Sequence, residues 1–233
     1  MKTRFLILIL VLIAESLFAQ APDTSFKLDF NVKAKRLIGG GFELTNKKLI
    51  KEFTIQGKAT AKYRIEIKSD SFSIISKFEN NKWLCIDTIK HSFYMRDTND
   101  LFIPSFYVED FNKDGNQDLL CWVLSGMSMV WTMVYLNDPL TETLEKLKNA
   151  AENSYHWDNP EYNLKDSTIH CARISSNWEL SFNSKYKLVN FTAIPLEKDE
   201  IDNTQMDYSG KGSVTRHYVG KNGKWELTKE IKN

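Results

Sequence analysis

The chain has 233 residues, with 31 Lys and Arg against 30 Asp and Glu, 42% hydrophobic residues and 12% aromatic residues. A formal net charge of +1 gives no electrostatic reason to expect nucleic acid or an anionic membrane as partner. The length is enough for one substantial core or an array of repeats.

Residues 1–19 read as an export signal. Lys2 and Arg4 supply the positive start, FLILILVLIA is an apolar run of h-region size, and Leu17-Phe18-Ala19 places a small residue before the cut. Cleavage after Ala19 leaves Gln20 first, whereas a cut after Ala21 would put Pro22 next and is disfavoured. The run is shorter than a membrane span and is interrupted by Glu15. No cysteine stands near the cut to carry a lipid anchor. The expectation is an exported protein, periplasmic or secreted, whose residues 20–233 form a single domain with 29 basic and 29 acidic residues and no membrane span.

After the signal the pattern is nearly all β. Strand-like runs rich in branched and aromatic residues cover 27–35, 62–69, 72–78, 83–89, 118–125, 130–136, 168–174, 186–194, 214–220 and 224–231, separated by Gly, Asn, Asp and Pro. One short helix is expected over 140–152, where Leu140, Leu144, Leu147 and Ala151 share a face at helical spacing; a strand followed by a loop is the other reading. Three hairpin turns share the pattern N-x-K-[WY], at Asn80-Asn81-Lys82-Trp83, Asn183-Ser184-Lys185-Tyr186 and Asn222-Gly223-Lys224-Trp225. Trp83 and Trp225 are each followed six residues later by isoleucine, Ile89 and Ile231, which in a regular strand puts both members of each pair on one face. A recurrence of this length suits the blades of a β-propeller, with chance hairpin similarity as the alternative. The fold class expected is therefore all-β, mostly antiparallel, as a propeller-like array of hairpin blades with at most one short helix.

The most specific chemistry lies in VEDFNKDGNQDLL, residues 108–120. Asp110, Asn112, Asp114 and Asp118, with Gly115 inside the run, match the D-x-[DN]-x-D-G pattern of a short calcium loop. Calcium takes 6–8 oxygen ligands, and alternate residues of a tight coil aim theirs inward while Phe111 and Lys113 point away. Asn116 would add its main-chain carbonyl, Gly115 would permit the sharp turn, and Asp118 would close the cage. Cys121 occupies the place where an EF-hand has its bidentate Glu, so the loop is set in a β framework. An Asx-rich surface turn is the competing reading.

This stretch resembles the calcium loops of FG-GAP and VCBS repeats, found in propeller proteins. The longer order from 106 to 194, with the calcium loop, the Gly126 turn, an aromatic strand ending in YLNDP, then NPEYNLKDSTIHCARIS and a further YKL strand, is similar to a small family of exported propeller-like proteins of Gram-negative bacteria. The resemblance implies calcium as the bound ion at Asp110, Asn112, Asp114, Asn116 and Asp118. For one branch of the family it implies inhibition of a lysozyme-like peptidoglycan hydrolase.

Nothing in the sequence assembles a catalytic site. His91, His156, His170 and His217 form no metal-type pair, and the GMS at 126–128 lacks the rest of a nucleophile elbow. His170 and Cys171 are neighbours in a strand and so face opposite sides. Trp122, Trp131 and Tyr135 read as core beside the calcium loop, or as a sugar-stacking platform if their rings are exposed. Cys85, Cys121 and Cys171 allow at most one intramolecular disulfide. The reading is a non-enzymatic binding protein whose partner is a peptidoglycan hydrolase, or alternatively a carbohydrate- or cell-surface-binding module acting on cell-wall glycan.

Overall fold

The computed structural model describes residues 25–232 apart from 37–41, 46–48, 59, 92–93, 96–100, 126–128, 175–178 and 207–211. The expected export signal and the GMS turn lie outside the described residues. Among those described, every regular element is a strand and none is helical. In chain order they are β1 (Phe26–Leu28), β2 (Ala34–Arg36), β3 (Phe42–Leu44), β4 (Ile50–Ile55), β5 (Ala61–Ile67), β6 (Phe72–Glu79), β7 (Lys82–Lys90), β8 (Tyr94–Met95), β9 (Leu101–Phe102) and β10 (Ser105–Glu109). There follow β11 (Asp118–Ser125), β12 (Met129–Asp138), β13 (Thr143–Lys146), β14 (Lys148–Asn149), β15 (Pro160–Asn163), β16 (Thr168–Ile174), β17 (Leu180–Val189), β18 (Thr192–Asp202), β19 (Val214–Lys221) and β20 (Lys224–Lys232).

Three larger sheets organise these strands. The first runs β4-β5-β6-β7, the middle one β1-β10-β11-β12-β13, and the third β15-β16-β17-β18-β19-β20 with β14 alongside β18. All pairings are antiparallel except β14 with β18. The all-β, mainly antiparallel expectation holds.

The middle sheet is buried on both faces, and its sequence shows why. Along β11, Leu119, Cys121 and Val123 join a core with Phe53, Ile55, Tyr63, Ile65, Ile75 and Ile89 of the first sheet. The intervening Leu120, with Val134 and Leu136 of β12, joins a second core with Trp157, Ile169, Cys171, Tyr186 and Ala193 on the side of the third sheet. Alternation with period 2 sends apolar side chains both ways, giving the near-continuous apolar runs of a central strand. Each fully buried side chain of this kind contributes roughly 1.5–3 kcal/mol. Polar contacts cross the same two boundaries. Tyr135 and Lys146 meet Asp87 of β7, and the Trp157 indole donates to the Leu147 carbonyl at 3.1 Å while its ring meets Tyr186 edge-on.

The helix expected over 140–152 is not formed. Glu142 sits at φ 55, outside the right-handed helical region, Leu140 is 91% exposed, and the segment continues as β13, β14 and turns. Leu144 and Leu147 are buried in different cores rather than on one helical face.

Two of the three expected hairpin turns are where the pattern put them. Asn80 and Asn81 take φ 50 and 61 between β6 and β7, and Asn222 and Gly223 take φ 52 and 74 between β19 and β20. The third is displaced: Asn183–Tyr186 lies inside β17, and the chain turns at Asn190-Phe191, where Asn190 has φ 54. The expected strand 186–194 therefore runs across a turn. With the turns placed correctly, the three hairpins share a further feature. Each return strand carries one extra residue, Ile86, Leu196 or Thr228, and each of these stands at the same distance after its turn's asparagine. The bulges change the parity of the return strands. Trp83 pairs with Phe78 and Ile89 with Ser73, on opposite faces of β6, and Trp225 and Ile231 are likewise opposed through Gly220 and Thr215. The same-face expectation for these pairs is corrected.

Candidate metal centre

The loop between β10 and β11 leaves the middle sheet at Glu109 and re-enters it at Asp118, which pair with each other. Lys113 at φ 58 and Gly115 at φ 88 supply the left-handed turns that coil it. No atom lies within 4 Å of where a Gly115 Cβ would stand, so the requirement for glycine there is conformational rather than steric.

Four of the five expected positions form one local network, and Asp118 is held separately by two backbone amides. Asp110 accepts the Asp114 amide on Oδ1 at 3.1 Å and the Gly115 amide on Oδ2 at 3.0 Å. Asn112 Oδ1 accepts the Asp114 amide at 3.3 Å, and its Nδ2 donates to Asp114 Oδ2 at 3.0 Å. Asp114 Oδ1 accepts both the backbone N–H and the side-chain Nδ2 of Asn116 at 2.8 Å. Asp118 is fully buried and accepts the Phe111 amide on Oδ2 at 3.0 Å and the Asn137 amide on Oδ1 at 2.7 Å. Phe111 points away from the loop's acids, as expected, and is buried in the second core. Asn116 does more than the sequence indicated: its side-chain Oδ1 reaches the first sheet and accepts the Lys58 amide at 3.0 Å.

Burial and neighbouring charge disfavour the ionised form of two of the loop's acids. Burial pushes the Asp118 carboxyl well above its usual range, against hydrogen bonds from Asn137 and Phe111, and the charges of Asp114 and Asp110 push it further up. Asp110 is raised as well, first by burial and then by Asp114. A buried carboxylate with two further acids beside it is relieved either by protons or by a metal ion. Among the described residues, no three His, Cys, Asp or Glu side chains converge at metal-holding distances. The carboxylates are held by amides, on a backbone already coiled. The donor set fits calcium in kind, being all oxygen: Asp110, Asn112, Asp114 and Asp118 by side chain and Asn116 by its carbonyl. Side-chain rotation within the formed coil is what closure on an ion would require.

The other groups weighed from sequence fall as follows. A groove of about 310 Å³ on the outer face of the third sheet includes Glu161, His170, Lys185, Glu197 and Asp199 among its lining. Burial raises the thiol of Cys171, which packs in the second core while His170 is half-exposed, so the two face opposite sides. Cys85, Cys121 and Cys171 are all unpaired; Cys85 is exposed and the other two are buried. Tyr135 is core and Trp131 packs against the first core, but Trp122 is 42% exposed and lies 5.0 Å, ring to ring, from Tyr107.

Neither a family model nor a curated protein sequence matches the chain. Among solved structures, a Xanthomonas type IV secretion system related protein superposes with a TM-score of 0.50, covering 87% of this chain and 100% of that chain at 14% identity. At that identity the likeness bears on the fold alone.

Proposed function

We propose that this is an exported calcium-binding protein that works by binding another macromolecule rather than by catalysis, with a lysozyme-like cell-wall hydrolase as its partner. The observation that supports the calcium reading is the fully buried Asp118 at the end of a coiled loop that also carries Asp110 and Asp114, its carboxyl raised first by burial and then by those two acids. The ion's role in this reading is structural. Asp118 ties Phe111 and Asn137 together, so a cation at its carboxylate fixes the entry of β11, the central strand of the stack. A propeller-like arrangement is part of the proposal. Support for it comes from the stack of three sheets and from three hairpins with the same turn asparagine and the same bulge. The exported setting in this reading rests on the signal expected over residues 1–19.

A second reading, a carbohydrate-binding module for cell-wall glycan, is favoured by the exposed Trp122 beside Tyr107, since exposed rings can stack on sugar faces. One experiment separates the two. The purified protein with calcium is offered immobilised lysozyme-type hydrolases and, separately, sedimented peptidoglycan. Retention on a hydrolase with loss of its lytic activity supports the first reading. Co-sedimentation with peptidoglycan that Trp122→Ala abolishes supports the second.

A further inference from the structure

The loop at 110–118 is joined to a turn nearly 60 residues away in the chain. The turn between β4 and β5 carries Gln56, Gly57 and Lys58, and three of its backbone groups are met from the loop. Gln117 N–H donates to the Gln56 carbonyl at 2.7 Å, Gln56 N–H donates to Gln117 Oε1 at 2.9 Å, and Lys58 N–H donates to Asn116 Oδ1 at 3.0 Å. Gly57 sits so close that a Cβ there would stand 2.4 Å from Asn116 Oδ1 and 3.1 Å from Asn116 Cβ and Cγ. Asn116 and Gln117 are both buried, although both are polar. The Asn116 amide thus has two ends in use: its Nδ2 is held by Asp114, an expected calcium ligand, and its Oδ1 holds the first sheet.

We propose that ion binding at the loop controls how firmly the β4–β5 hairpin, and through it the first sheet, is clamped to the middle sheet. This rests on the calcium reading above. Without a cation, repulsion among Asp110, Asp114 and Asp118 loosens the coil and lets Asn116 and Gln117 swing away from Gln56 and Lys58. With calcium on Asp114, the carboxylate is fixed, Asn116 is fixed against it, and the clamp closes. The first sheet's attachment becomes a readout of calcium outside the cell.

Amide hydrogen exchange at Gln56 and Lys58 tests this, because both N–H groups are clamp donors. Calorimetry first gives the calcium Kd of the full protein, and exchange is then measured with chelator and at a hundredfold excess over Kd. In the wild type, calcium should slow exchange at both amides by up to ~100-fold, the factor by which such an excess favours the bound state. In Gln117→Ala, which leaves every expected ligand in place, calcium should still bind while Gln56, whose N–H donates to Gln117 Oε1, loses most of its slowing. If calcium binds and slows exchange only within 110–118, the clamp is overturned and the calcium reading stands. If no heat of binding is seen, both fall together. Should Gln117→Ala fail to fold, the wild-type comparison decides alone.

Discussion

The Tyr135 hydroxyl donates to Asp87 Oδ2 at 2.5 Å across the boundary between the middle and first sheets, and Lys146 Nζ meets the same oxygen at 2.6 Å. The bulge at Ile86 makes this contact possible, because the extra residue turns Asp87 inward while Cys85 remains on the outer side. Burial and the neighbouring Asp87 keep the Tyr135 phenol protonated far above its ordinary range, so it remains a donor at all working pH values. Tyr135→Phe removes a hydrogen bond to a charged acceptor and should cost about 1.5–3 kcal/mol. Urea unfolding curves of the two proteins check this. Equal midpoints would mean that the contact adds nothing to the boundary.

His91 gives a pH dependence of defined sign. It is buried, with Nε2 2.8 Å from Ser73 Oγ, and burial lowers its pKa from 6.5 to about 4. The neutral form is favoured by the fold, so its contribution is fully present above pH 6.5 and is lost as pH falls from there to about 4. At 1.36 kcal/mol per pH unit that interval amounts to roughly 3 kcal/mol. Chemical denaturation at pH 7 and pH 4.5 should show a drop in the wild type that His91→Asn largely lacks. A variant with the same drop would assign the acid sensitivity to other groups.

The turns make an asymmetric pair. Gly223 sits at φ 74 with only Ala150 Cβ near the place of an added Cβ, at 3.8 Å, so Gly223→Ala meets conformational strain rather than a clash and should cost ~1–2 kcal/mol. Asn81 occupies the matching place in the β6–β7 turn at φ 61, and Asn81→Gly should leave stability unchanged or raise it slightly. Thermal melts of the two variants should move apart, and a shift in the same direction would contradict the shared turn geometry.

These turns also show what the sequence could reveal. Local signals came through: residues 110–118 form a tight coil with positive φ at Lys113 and Gly115, and the strands on either side of Asn80 and Asn222 are bounded by residues that favour positive φ. The third hairpin was missed because Asn190-Phe191 lacks glycine and sits among strand-forming residues in YKLVNFTAI, while Asn183–Tyr186 imitates the turn motif inside β17. The false helix over 140–152 arose because two residues of its apparent stripe, Leu144 and Leu147, are buried against different sheets. A bulge shifts the parity of the residues beyond it, and nothing in WLCIDTI marks where that happens, so the opposed faces of Trp83 and Ile89 were not foreseen. The clamp from Asn116 and Gln117 to residues 56–58 was beyond reach because its partners are distant in the chain and its chemistry is amide to backbone.

Calcium and protons should compete at the loop. Because burial raises Asp118 above its ordinary 3.8, its ionised form opposes folding at neutral pH, and the penalty is relieved as pH falls through the raised value. The stabilisation by calcium should therefore be largest at neutral pH and shrink toward acid. Melting temperatures with and without calcium across pH 4–8 would show this, and an increment that grows toward acid would contradict it.

The most direct test of the account is the melting temperature of the purified protein in chelator and in millimolar calcium at pH 7, for wild type, Asp114→Ala and Asp158→Ala. A hundredfold excess over Kd corresponds to about 2.7 kcal/mol of added stability. Wild type and Asp158→Ala, whose residue pairs with Arg173 away from the loop, should both rise, with magnesium giving less. Asp114→Ala should show no increment. A wild-type curve that calcium and chelator leave in the same place would make residues 108–120 an acidic turn and remove the basis of the proposed function.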